Sequence, residues 1–289
     1  VDAESYFDAE ITKLKNGVAL RSPAPHQSLF KYISLGTNKT SWERLKKTLS
    51  GILTGSSASY LNDPFEISPV VIDDLRKSTI ERAIGGQDLL DRLNNKVPPE
   101  PDYNLLRQEA DQYIQELQRK NRIISFSTRY DSPLLWAHYA DGYKGACLHF
   151  FSGHLLGNRI RNLYFVNYSS YRKLYPISLA LSLSRRRDHT GLKTAESDHL
   201  MYYQKAEEWA YEEEVRTIYD VERYPEGIPY YIDRLASIIV GPKINKETLE
   251  QLQDFVSTSD IPNLAIFQSK ISQSNFSIEV DFSHPVNQN

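Results

Sequence analysis

The residues with the most chemical potential lie in one run, Lys205-x-x-x-Trp209-x-x-Glu212-x-Glu214-x-Arg216. On a strand, side chains two apart share a face, so the spacing predicts Glu212, Glu214 and Arg216 together, with Glu213 and Val215 opposite. Two carboxylates about 7 Å apart repel; burial would raise the pKa of one, and the neighbouring guanidinium would offset that. Such a set suits a general base, or a carboxylate that stabilises a positively charged, sugar-like transition state. A solvated acidic strand edge would use the same residues, because charges blunt an edge against association.

A second run, Ser125-Phe126-Ser127-Thr128, puts two hydroxyls on one face of a strand and an aromatic ring on the other. It precedes Ser132-Pro133-Leu134-Leu135-Trp136-Ala137-His138-Tyr139-Ala140, where a cap residue, a first-turn proline and Gly142 beyond the end outline a helix. Helical spacing pairs Leu135 with Tyr139 and Leu134 with His138, so His138 is free of the core face. A third run, Asn62-Asp63-Pro64-Phe65-Glu66, has side chains that bond local backbone, and by itself reads as a rigid turn. Arg185-Arg186-Arg187 fits a solvated loop or a phosphate contact.

These residues need a scaffold, and the 289-residue length is ample for one. Apolar residues at 40% and charged residues at 25% describe a globular chain, not a disordered or fibrous one. The 34 Lys plus Arg against 37 Asp plus Glu give a net charge of -3, so no global basic field points to nucleic acid. The 19 Tyr, 11 Phe and 3 Trp indicate aromatic-rich packing, or a cleft with mixed contacts. The single Cys147 forms no internal disulfide, and no Cys/His spacing suggests zinc, so the expected compartment is the reducing cytoplasm and no metal is expected. The apolar runs fall well short of the roughly 20 residues that span a bilayer.

Residues 1–28 end in Ser22-Pro23-Ala24-Pro25 and read as an arm or leader; residues 29–289 read as one α+β domain with a helical insertion at about 68–121. Strands are expected at 29–33, 122–127, 146–151, 163–168, 212–219, 237–240, 264–267 and 276–282. Helices are expected from the Thr40-x-x-Glu43 capping box to Ser50, over 196–209 and over 246–255. Walker, G-x-G-x-x-G, G-x-S-x-G and H-E-x-x-H motifs are absent from the sequence.

Taken in order, Phe30-Lys31-Tyr32, Asn62-Asp63-Pro64-Phe65-Glu66, Ser125-Phe126-Ser127, Leu135-Trp136-x-His138-Tyr139-Ala140-x-x-x-Lys144-Gly145 and the Lys205 to Arg216 run resemble a large bacterial family over about residues 29–270. That family is a domain of unknown function that recurs near abortive-infection and phage-defence genes. An aromatic-basic first strand, a serine strand and a late Glu-x-Glu strand are also similar to the ADP-ribosyltransferase fold. There the first strand carries Arg or His, the second Ser or Tyr, a late strand Glu, and NAD is held across a split sheet.

The resemblance implies an ADP-ribosyltransferase-like α+β fold, with a split mixed or antiparallel sheet. It implies a toxin or defence effector that takes NAD as substrate and moves ADP-ribose to a protein or nucleic acid, with an antitoxin or defence partner and no membrane association. Glu214 would be the catalytic acid/base and Glu212 would orient the acceptor. Lys31, Tyr32, Ser125, Ser127, His138, Tyr139 and Arg216 would contact NAD, with Asn62, Asp63, Glu66, Trp136, Lys205 and Trp209 as further site residues. Lys31 and Tyr32 depart from the usual Arg or His, so His138 or Arg216 would substitute. Two other classes share these residues: a magnesium-dependent nuclease with Asp63, Glu66, Glu212 and Glu214 as ligands, and a non-catalytic defence sensor.

Overall fold

The structure, a computed structural model, describes residues 20–36, 39–74, 102–157, 163–172, 174–185 and 200–287. In chain order the strands are β1 (Ser28–Ile33), β2 (Ile52–Leu53), β3 (Val70–Ile72), β4 (Asn121–Ser127), β5 (Ala146–Phe151), β6 (Tyr164–Phe165), β7 (Asn167–Ser169), β8 (Leu174–Pro176), β9 (Gln204–Ala206), β10 (Glu214–Asp220), β11 (Ile228–Pro229), β12 (Leu235–Val240), β13 (Ala265–Ile271) and β14 (Ile278–Val280). The helices are α1 (Lys39–Leu49), α2 (Tyr103–Lys120), α3 (Pro133–Tyr139), α4 (Ile177–Arg185) and α5 (Lys246–Ser257). The fold is mixed α/β, and its main sheet mixes parallel and antiparallel pairs. The chain forms two compact units, one from 1–20, 57–121 and 167–207, the other from 21–56, 122–166 and 208–289.

The second unit is built on an eight-stranded sheet in the order β14-β13-β12-β5-β1-β4-β10-β6. Strand β1 pairs antiparallel with β5 along its whole length, from Ser28↔Phe151 to Ile33↔Ala146. With β4 its register is one pair, Phe30↔Ser127. Strands β12 and β13 are parallel, and α5 between them is the crossover that parallel neighbours require. Alternation then sorts the side chains. Leu29, Ile124, Phe126, Leu148, Phe150, Val215, Ile238, Val240 and Ile266 form an aliphatic-aromatic cluster with Leu45 and Leu49 of α1 and Leu252 and Val256 of α5. On the opposite face Phe30, Cys147 and Ile239 pack with Trp136 and Ala140 at α3 and with Ile278.

In the first unit Leu106, Ala110, Tyr113, Ile114 and Leu117 of α2 are buried, as are Ile177, Ala180 and Leu181 of α4. Asp102 caps α2, accepting from the Asn104 and Leu105 amides. The parallel pairs β3·β8 and β7·β9 complete this unit.

Several local expectations are corrected. Helix α1 starts at Lys39, so Thr40 is inside it and not at its cap; Gly51, in the left-handed region at φ 81°, follows its end as expected. The stretch 163–168 is two strands, because the Val166 amide bonds to Glu214 while the Asn167 amide bonds to Tyr203. Of the helix expected over 196–209, residues 196–199 lie outside the described residues and 200–209 are not one helix: a short 3-10 turn Leu200–Tyr202 leads into β9, whose pairing with β7 overrides the local helical pattern. The segment 68–121 contains strand β3 as well as α2, while Gly85-Gly86 and Pro98 to Pro101 lie outside the described residues, as do Arg186 and Arg187.

The Lys144-Gly145 motif has a packing reason. A Cβ on Gly145 would sit 2.2 Å from the Ile33 carbonyl oxygen, at the end of the β1·β5 ladder. Replacing Gly145 by Ala is expected to cost about 2–3 kcal/mol, read as a lower urea midpoint at unchanged slope.

Candidate functional site

Strand β10 sends Val215 to the aliphatic cluster, so Glu214 and Arg216 point to the other face. The same reasoning on β4, where Ile124 and Phe126 join the cluster, puts Ser125 and Ser127 on the face of Glu214 and Arg216. Arg216 is fully buried at 0% exposure, and its guanidinium grips Glu214 in a fork: Nε donates to Oε1 at 2.6 Å and Nη2 to Oε2 at 2.8 Å. A charge-assisted, bidentate pair of this kind fixes both side chains.

Glu212 does not lie on the strand. A 3-10 turn covers Glu207–Glu212, and Glu213 follows at φ 45°, which breaks the expected row of Glu212, Glu214 and Arg216 after its first member. Glu212 is nevertheless held close by the serine strand and α3. Its Oε1 accepts from the Tyr139 hydroxyl at 2.6 Å, and its carbonyl accepts from Ser127 Oγ, also at 2.6 Å. Ser127 Oγ in turn accepts from the Arg129 amide at 3.0 Å. Thr128 donates its amide to the Glu213 carbonyl and its hydroxyl to the Glu213 carboxylate. Thr128, Arg129 and Glu213 were not singled out as site residues from the sequence, although Thr128 ends the hydroxyl run. Beside this group lies an aromatic shelf, with the exposed His138 ring 6.4 Å from Trp209 and Trp209 6.1 Å from Tyr211.

The first strand sends Lys31 and Tyr32 to opposite faces of the sheet. Lys31 follows Leu29 and precedes Ile33, so it points to the aliphatic face, away from Glu214 and Arg216. Its ammonium sits 5.8 Å over the Phe126 ring and donates to the Ser125 carbonyl at 3.5 Å. Burial first, then the Arg44 guanidinium, pull the Lys31 pKa down to about 8, against an upward pull from Glu214. Tyr32 is on the Ser125 face, but its hydroxyl is spent on the Arg129 carbonyl at 2.9 Å and its ring stands edge-on to Trp136. Burial, with Cys147 and Asp131, pushes the Tyr32 phenol well above its usual range.

Asp63, Glu66 and Lys205 form a separate group in the other unit. Lys205 Nζ is 2.8 Å from Glu66 Oε1 with both side chains buried, and Asp63 Oδ1 accepts from the Phe65 amide while Asn62 is exposed. Lys205 reaches this pair from β9, not from the helix the sequence suggested. Among the described residues no group of three or more His, Cys, Asp or Glu converges as a metal-binding set. Nor, among those residues, is any helix long and apolar enough to cross a membrane.

Residues 135–217 match the model of a family described as a protein of unknown function, DUF2971. The match runs from α3 into β10, and so takes in Trp136, His138, Tyr139, Lys205, Trp209, Glu212, Glu214 and Arg216. No curated protein and no solved structure matches this chain.

Replacing Arg216 by Met takes the bidentate guanidinium away from the buried Glu214 carboxylate, and a loss of about 3–5 kcal/mol is expected. The Glu214→Gln/Arg216→Met double variant should lose less than the two single changes added, in a denaturation cycle. Lys31 gives a pH signature. Its folded pKa lies below its unfolded value, so the unfolded chain binds the extra proton, and stability from this group rises with pH between about 8 and the ordinary 10.5. Lys31→Met should flatten that rise in urea unfolding followed across this window.

Proposed function

We propose that the sheet-bearing unit is an NAD-dependent ADP-ribosyltransferase that releases nicotinamide and passes ADP-ribose to a macromolecular acceptor. The observation that carries this reading is the strand order β1-β4-β10, which makes the aromatic-basic strand, the serine strand and the glutamate strand immediate neighbours. The single register pair between β1 and β4, against six between β1 and β5, fits the split that the resemblance calls for. The argument is one of fold analogy joined to local chemistry.

On this reading Glu214 supplies negative charge where positive charge builds on the ribose as nicotinamide leaves. Its fork with Arg216 fixes the carboxylate before reaction. Glu212, oriented by Tyr139 and tied to Ser127 through its backbone, faces the acceptor. Tyr32, Ser125, Ser127, His138, Tyr139 and Arg216 remain the NAD-side residues. Lys31 supports β4 from the aliphatic face and feels the Glu214 charge. The defence setting, an antitoxin partner and a cytoplasmic location belong to the same proposal.

The test is release of nicotinamide from NAD by the purified chain, with adenine-labelled NAD and a lysate to trap the acceptor. Glu214→Gln should lower release by about a hundredfold or more, with near-UV circular dichroism preserved. Tyr139→Phe, which removes only a hydroxyl, should reduce label transfer more than nicotinamide release. An inactive parent, or a folded Glu214→Gln chain with full turnover, overturns the proposal.

A further inference from the structure

A second constellation lies where β1, β5 and β12 run side by side, and it involves none of the residues assigned above. Strand register sets His149 opposite Phe30 on one side and Ser237 on the other. His149 Nε2 is 2.9 Å from Ser28 Oγ, and Nδ1 is 3.4 Å from Ser237 Oγ. A bulge creates the second contact. Leu235 pairs with Phe150 and Ser237 with His149, so the extra Ala236 lets Leu235 enter the aliphatic cluster while Ser237 turns to the His149 face. Bulges re-aim side chains in this way beside functional sites.

The imidazole is also clamped. Phe30 stacks on it with centroids 4.8 Å apart and planes 21° off parallel, and Phe151 meets it edge-on at 5.1 Å. Burial keeps the ring below the ordinary histidine value of 6.5, so at neutral pH it is an uncharged base. Cys147, on the same face of β5, keeps its proton because burial raises its pKa. A serine activated by this ring calls for the tautomer in which Nε2 accepts from Ser28 and Nδ1 donates its proton to Ser237. Ser28 is partly exposed, and the neighbouring Phe151 ring is 39% exposed.

We infer that Ser28 and His149, oriented by Ser237, form a reactive hydroxyl site that takes an activated acyl or phosphoryl ester bearing a small apolar group. A serine within hydrogen-bond reach of an oriented, neutral imidazole is the arrangement by which a weak nucleophile is activated. The apolar preference comes from the exposed Phe151 ring. Three adjacent strands of a sheet hold the partners more rigidly than loops do.

The test uses the full chain and a fluorophosphonate with a short alkyl group. Ser28 Oγ bonds to phosphorus, the phosphorus–fluorine bond breaks, fluoride leaves and the serine proton passes to His149 Nε2. Peptide mapping should find one label on Ser28, absent in Ser28→Ala. His149→Gln should slow labelling by about a hundredfold, and Ser237→Ala by a smaller factor. In the unaltered chain the rate should hold between about pH 8 and pH 7 and fall only on acidification below the ordinary histidine value of 6.5, as the imidazole takes a proton. No label on Ser28, a label placed elsewhere, full-rate labelling in folded His149→Gln, or a rate that already falls by half above pH 6.5 would each overturn the inference.

Discussion

A guanidinium keeps its charge at any pH a protein meets, so the full burial of Arg216 is the constraint that the surrounding sheet has to satisfy. Glu214 meets it from two residues away on the same strand, with both of its oxygens. Because the pair is internal to β10, it fixes which face of that strand is charged. A slip of one residue would push Glu214 and Arg216 into the cluster of Val215, Phe126 and Leu148, where neither charge has a partner. The register of β10 against its neighbours is therefore strongly specified. The positive φ at Glu213 marks the point where the strand begins and the chain turns to deliver Glu212 to Tyr139.

The two polar devices of the first and fourth strands work from opposite sides. Ser127 bridges from the end of β4 to the backbone of Glu212 on the charged face. Lys31 reaches the Ser125 carbonyl from the aliphatic face, where the ladder between β1 and β4 leaves that acceptor available. A buried acceptor without a donor is costly, and a lysine that gives up part of its proton affinity is the compromise found here. The arrangement accounts for a basic residue in an otherwise apolar strand.

The sequence made the sheet strands β1, β4, β5, β12 and β13 legible because each is a short β-branched or aromatic run bounded by turn residues. Helix α3 was equally clear from the proline in its first turn and Gly142 beyond its end, and α5 follows the range expected at 246–255. The alternation of Glu214 and Arg216 was legible too, and their fork follows from it. Illegible was everything decided by distant partners. Gln204–Ala206 has no strand signature and becomes one through Asn167–Ser169, and Glu212 leaves its strand because of a backbone turn at Glu213. Which face Lys31 takes depended on knowing that Leu29 and Ile33 face the main core. The Ser28, His149 and Ser237 set is scattered over three strands and a bulge, and no spacing along the chain announces it.

The pairing of β1 has a consequence for how the molecule comes into being. Both of its ladder neighbours, β4 and β5, are encoded far downstream, so Phe30 waits for Ser127 and Ser28 for Phe151. During synthesis the Leu29 to Ile33 segment leaves the ribosome with both edges open and its apolar side chains uncovered. Closing so long a loop is slow compared with local helix formation. Helices such as α1 and α2 can form on the nascent chain well before the sheet closes around its first strand. A chain released early, before Ser127, keeps an unpaired, aggregation-prone edge at its core.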